Sequence, residues 1–89
     1  MVLRHYWIEF HLTPGRSYPL GIALGCGVTA PSSDDALHLI QEVIFKDDQL
    51  PQIARLIEDV DLRTLDQNHV VPNMGATYGR GIWYPLGFN

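Results

Sequence analysis

Polar and apolar residues alternate along residues 3–12. Arg4, Tyr6, Ile8, Phe10 and Leu12 fall on one side of a strand, and Leu3, His5, Trp7, Glu9 and His11 on the other. The first side is the better core face. Thr13-Pro14-Gly15-Arg16-Ser17 comes next, and Pro before Gly fits the central positions of a type II turn. Alternation resumes over 20–29, with Leu20, Ile22, Leu24, Cys26 and Val28 on one face and Gly21, Ala23, Gly25, Gly27 and Thr29 on the other. That second face is bare enough for a large ring to lie on it, and Trp7 is the nearest candidate. The two segments predict an antiparallel hairpin.

Ser32 followed by Asp34 and Asp35 predicts a helix start, with Ser32 as the N-cap and the aspartates at the positive end of the helix dipole. Ala36, Leu37, Ile40, Val43 and Ile44 then keep helical spacing, with His38, Gln41 and Glu42 on the opposite side. A regular helix carries Phe45 to that polar side, so either the helix ends before it or Phe45 covers something outside the main core. Residues 52–60 read two ways. Ile53, Leu56, Ile57 and Val60 have helical spacing, but the segment is short and β-branched, and a two-stranded hairpin wants a third strand. A strand here completes a crossover from the second strand through the helix. We take it as a strand, with helix as the alternative. Residues 61–79 form a long irregular stretch with one possible helical turn at 62–66, and 80–84 reads as a short strand stopped by Pro85. Trp83 and Tyr84 alternate there, which assigns one of them to the core. The pattern predicts an α+β fold, a single domain over residues 1–89. It has a mostly antiparallel sheet of about four strands and one helix on one face, in the order β-β-α-β-β.

Composition narrows the function classes. The chain has 89 residues, 46% hydrophobic and 18% charged, which is globular and too short for a two-domain enzyme with its own cofactor domain. The longest uncharged run, Ser17 to Ser33, holds Pro19 and Pro31 and falls short of the roughly 20 apolar residues of a membrane span, and no signal peptide is expected because the start passes into a strand holding Glu9. Cys26 is the single cysteine, so neither an intramolecular disulfide nor a cysteine zinc cluster is expected, and a cytoplasmic location fits best. Nine of the ten acids lie in residues 34–66, which also hold Lys46, Arg55 and Arg63 and therefore net −6. The flanking segments net +1 each. Nucleic acid is an unexpected partner on this balance, whereas a basic protein surface suits it.

Three constellations invite chemistry. Gly25-Cys26-Gly27-Val28-Thr29-Ala30 matches the dinucleotide fingerprint G-x-G-x-x-A, but Pro31 delays the helix that must meet the pyrophosphate, so packing glycines are the better reading. Glu9 and His11 sit about 7 Å apart on one strand face, half of a metal site at most. Cys26 with His11 or His69 would pair a nucleophile with a base, but no local pattern supports it. No cofactor, metal or catalytic set is predicted, and a non-enzymatic role is favoured. The last third carries recognition residues: His69, Asn73, Met74, Tyr78, Arg80, Trp83 and Tyr84. With one helix on one face, the other face is expected to show His5, Trp7, Glu9 and His11 to solvent.

The leading expectation is a small cytosolic binding or inhibitor protein, of the kind that blocks a basic toxin or nuclease. Acids including Asp59 and Asp61 would meet the partner, and Trp7, His11 and Trp83 would anchor it. The second is a small enzyme or ligand binder using the 66–80 loop, with His69, Asn73, Tyr78 and Arg80. The third is a homodimeric structural subunit joined through an edge strand or the Trp7 face.

Overall fold

The computed structural model describes residues 2–19 and 21–87; Leu20, part of the expected 20–29 strand, lies outside them. Four strands, β1 (Arg4–His11), β2 (Cys26–Ala30), β3 (Gln52–Glu58) and β4 (Gly81–Tyr84), form one antiparallel sheet in the order β3-β1-β2-β4. Helix α1 (Ser33–Ile40) comes after β2. β2 and β3 both run antiparallel to β1, so they are parallel to each other and flank it. The chain passes from one to the other through α1, which is the expected crossover.

The first core lies between sheet and helix. Tyr6, Ile8, Cys26, Val28 and Ile82 point to it from the strands, and Ala36, Leu39, Ile40, Ile44 and Phe45 from the helical segment. Ser32 caps α1 as expected, its hydroxyl accepting from the Asp35 N–H at 3.1 Å. Beyond Ile40 the helix widens into a five-residue π-turn, Gln41–Phe45, closed by the Lys46 N–H on the Gln41 carbonyl. The wider turn changes the direction of its last side chains and carries Phe45 inward, where it is buried with its ring edge-on to Phe10 at 5.9 Å.

β2 is shorter than the alternation over 20–29 suggests. Residues 21–24 form turns instead, because Gly21 and Gly25 adopt φ of +92° and +138°, which an extended strand does not use. Ile22 still reaches the first core, but Leu24 swings outward and is 41% exposed.

Two bulges explain where the period-two reading fails. In β3, Glu9 pairs with Arg55 and Phe10 with Ile53, so Ala54 is extra. Ile53 and Leu56 therefore both reach the first core while Ile57 faces the second, which is why the strand mimics helical spacing. In β4, Val28 pairs with Ile82 and Gly27 with Tyr84, leaving Trp83 extra. Trp83 and Tyr84 consequently both enter the second core rather than opposite faces.

The second core corrects the expectation of an open aromatic face. Val60, Leu65 and Val70 from the irregular 60–75 segment cover Trp7, Trp83 and Tyr84, with Ile57, Leu62 and Met74 at the edge. Trp7 is 4% exposed and Trp83 fully buried. The small residues of β2 make room for this layer: a Cβ on Gly25 would lie 2.5 Å from the Trp7 ring, and one on Gly27 would run into the Trp83 ring. Trp7 and Trp83 stack at 6.1 Å. The covering segment is pinned by the Thr77 carbonyl, which accepts from the Thr29 hydroxyl at 2.6 Å and pairs with His5 Nε2 at 3.1 Å. The Gly75 N–H donates to the Trp83 carbonyl at 2.7 Å. Among the described residues, no helix is long and apolar enough to cross a membrane.

Candidate functional site

The segment that covers the tryptophans also shapes the surface beside them. Asp66 starts a turn. Its Oδ1 accepts the backbone N–H groups of Asn68 and His69 at 2.8 and 3.1 Å, and its main-chain carbonyl accepts those of Val70 and Val71. These are the local bonds for which Asp is favoured at turn starts. The same turn brings the His69 ring back onto Asp66, with Nδ1 and Oδ2 3.1 Å apart. The backbone N–H of Asn68, then the His69 ring and its N–H, hold the Asp66 carboxyl below the usual carboxylate range. An ionised carboxylate only accepts, so Nδ1 is the donor in this bond. One turn on, Asn73 Nδ2 donates to the His69 carbonyl at 2.8 Å.

Two hollows that share Leu24 flank this turn. The larger, about 590 Å³, runs between the 19–24 turns, His69, Asn73 and the end of β4. Pro19, Leu24, Pro85 and Leu86 make its walls apolar, and Tyr84 lines it from the sheet. Burial, and then the nearby negative charge of Asp66, pushes the Tyr84 phenol up, so it stays a hydroxyl donor at neutral pH. Gly21 leaves space for that hydroxyl, which would lie 3.1 Å from a Cβ there. The smaller hollow, about 250 Å³, lies across Leu24 and is lined by Trp7, Glu9, Arg55, Thr64 and Asp66 among others. Trp7 Nε1 donates to Glu9 Oε2 at 2.9 Å, and Arg55 reaches the same oxygen at 4.0 Å.

The nine residues expected to bind separate into distinct places. His69 and Asn73 come together on the larger hollow. Trp7 and Trp83 are interior, and Trp83 Nε1 is buried with no hydrogen-bond partner among the described residues. His11 is exposed at the end of β1 opposite Gln52 and lines neither hollow. Tyr78 is 87% exposed and also stands apart from both. Arg80 is turned away by a two-point bond to Asp35 at 2.8 and 2.9 Å, which ties the start of β4 to the first turn of α1. Asp59 and Asp61 are not free acids: Arg4 bonds Glu58 and Asp59, and Arg63 forks onto Asp61 at 2.9 and 3.0 Å. Asp61 also accepts the Arg63 N–H and so caps the 62–64 turn.

Cys26 is fully buried, and burial pushes its thiol pKa up, which leaves it an inert core residue. No group of three or more metal-ligating side chains occurs among the described residues. Tyr84, a recognition candidate from its sequence position, lines the cleft, whereas sequence reasoning does not mark Leu24 or the Asp66 behind His69 as binding residues. The Asp66-x-x-His69 spacing is the signal that could have found the pair, since an Asp turn-starter brings the residue three positions on back to its carboxylate. No family model, curated protein or solved structure matches the chain.

Proposed function

We propose that the protein binds a small, uncharged, largely apolar ligand in the cleft between the 19–24 turns and the 66–73 turn. One observation carries the reading: a hollow of about 590 Å³ with apolar walls that His69, Asn73 and Tyr84 also line. Ligand sites are commonly concavities of roughly 300–1,000 Å³ with few, convergent polar groups. Among the described residues no charged side chain lines this one, and the Asp66 carboxylate behind His69 disfavours an anion. A fragment screen followed by amide NMR tests it. Neutral aromatic or aliphatic fragments should shift the signals of Leu24, His69, Asn73 and Leu86 together. Hits that scatter over the surface, or gather on the 78–80 turn, would contradict it.

A second reading, a basic protein partner, draws support from the exposed turn after α1. Asp47 and Asp48 there make no ion pair among the described residues, nor does Asp34 at the helix start. Such acids act on association rate and its salt dependence. Its anchors would have to be other than Trp7 and Trp83. D47N/D48N should slow capture of the partner at low salt, and unchanged kinetics would count against it.

A further inference from the structure

The polar groups of the cleft differ in kind. His69 directs Nδ1 at Asp66, so Nε2 is the ring nitrogen left to exchange a proton with a ligand or water. Tyr84 presents a protonated hydroxyl, and Asn73 Nδ2 has a second hydrogen beyond the one given to the His69 carbonyl. Base and donors line one hollow whose other walls are apolar. The His69 side chain is 69% exposed, so water reaches the base, while Asp66 at 39% is the more sheltered partner that orients it. An imidazole held by a carboxylate, in a hollow also lined by donors that can receive developing negative charge, is the kind of set that attack of water on a carbonyl uses. A turn that needed only capping would be served by the backbone bonds to Asp66 Oδ1. The bond from the ring to Oδ2 adds a fixed tautomer that the cap does not require.

Resting on the binding reading above, we infer that the cleft hydrolyses neutral carboxylic esters with an apolar acyl or alcohol part, with His69 as general base. His69 Nε2 takes a proton from water as the water oxygen bonds to the ester carbonyl carbon. Tyr84 and Asn73 donate to the carbonyl oxygen as it becomes an oxyanion. The oxyanion collapses, the bond from carbonyl carbon to alkoxy oxygen breaks, and the imidazolium returns its proton to the leaving alcohol. Acid and alcohol are the products, and no oxidant, reductant or second substrate is needed. Asp66 is a positioning residue, since it acts through His69.

Two probes separate binding from catalysis. Butyrophenone, a ketone that water cannot cleave, reports on the cleft by amide NMR. p-Nitrophenyl butyrate reports on hydrolysis. The expected result is that butyrophenone shifts the Leu24 and Asn73 amides, and that wild-type protein turns over the ester more slowly in heavy water than in light. H69Q should lower kcat/KM about 100-fold, within the usual range for general-base catalysis. D66N keeps oxygen acceptors for the turn, so it should keep the fold. It should lower kcat with little change in KM, and the His69 ring-nitrogen spectrum should show the Nδ1–H tautomer lost. If butyrophenone seats in the cleft but H69Q hydrolyses the ester as wild type does, the catalytic inference is overturned and the binding reading stands. An acyl group found on His69, with no slowing in heavy water, overturns the general-base role. No perturbation at the cleft overturns both.

Discussion

Gly27→Ala measures how tightly the second core is closed. Gly27 lies in β2 beneath Trp83, and its new methyl would run into the far edge of that indole. Trp83 has no free direction to retreat, because it is fully buried, stacked on Trp7 at 6.1 Å and roofed by Val60, Leu65 and Val70. Overfilling a packed core costs about 1–3 kcal/mol. Replacing glycine also stiffens the unfolded chain, which returns about 0.4–1 kcal/mol. The net expectation is a loss of about 1 kcal/mol, against a total stability of about 5–13 kcal/mol for a domain of this length. Urea denaturation followed by circular dichroism reads this directly. At a slope of about 1 kcal/mol per molar urea, the midpoint should fall by about 1 M. Gly79→Ala is the control. No atom lies within 4 Å of its added Cβ and its φ is not left-handed, so it should be neutral or slightly stabilising. A Gly27→Ala protein within 0.5 M of wild type would refute the packing argument, because Trp83 would then have room that the second core denies it.

Cys26 should resist thiol reagents such as Ellman's reagent in the native state and react only at the rate of unfolding, since it is fully buried and its pKa is raised. Rapid native labelling would contradict its place in the first core. Stability should fall on acidification: Asp35, Asp61 and Asp66 all have pKa values lowered in the folded state, chiefly by bonds to Arg80, by Arg63 and by the Asn68 N–H respectively. The unfolded chain then binds more protons, so their contribution is full above about pH 4–5 and is lost as pH falls through the folded values. D35N should flatten that fall in a series of urea midpoints from pH 6 to pH 2.5, and an unchanged slope would argue against the Arg80 bond.

Much of the sheet is legible in the sequence because β1 alternates without interruption and Ser32 caps α1 in the expected way. The features that escape the pattern do so for local reasons. Ala54 and Trp83 each add one residue to a strand, which breaks period two and sends neighbours to the same face. The π-turn adds one residue to a helical turn and rotates Phe45 inward. Gly21 and Gly25 bend the chain where their small size only suggests a bare strand face. The covering layer is hardest to see. Its buried anchors Val60, Leu65 and Val70 are five residues apart, which is neither a strand nor a helix repeat, so the face beneath them reads as open. The cleft inherits that difficulty. His69 and Asn73 stand out as polar residues in a long loop, but Leu24, Tyr84 and Pro85 come from distant segments, and only the fold brings them together. Asp59 and Asp61 look like free acids because a charge count does not show which arginine each one meets.

The cleft exists because residues 60–75 pack as a second layer over the sheet, and collisional quenching of tryptophan by acrylamide tests that layer most directly. Trp7 and Trp83 are the only tryptophans in the chain, and both lie beneath it. Emission should be blue-shifted, and quenching of both rings should be far below that of the urea-unfolded protein. Emission near that of the unfolded chain, with quenching to match, would mean that the aromatic face is open and the cleft absent.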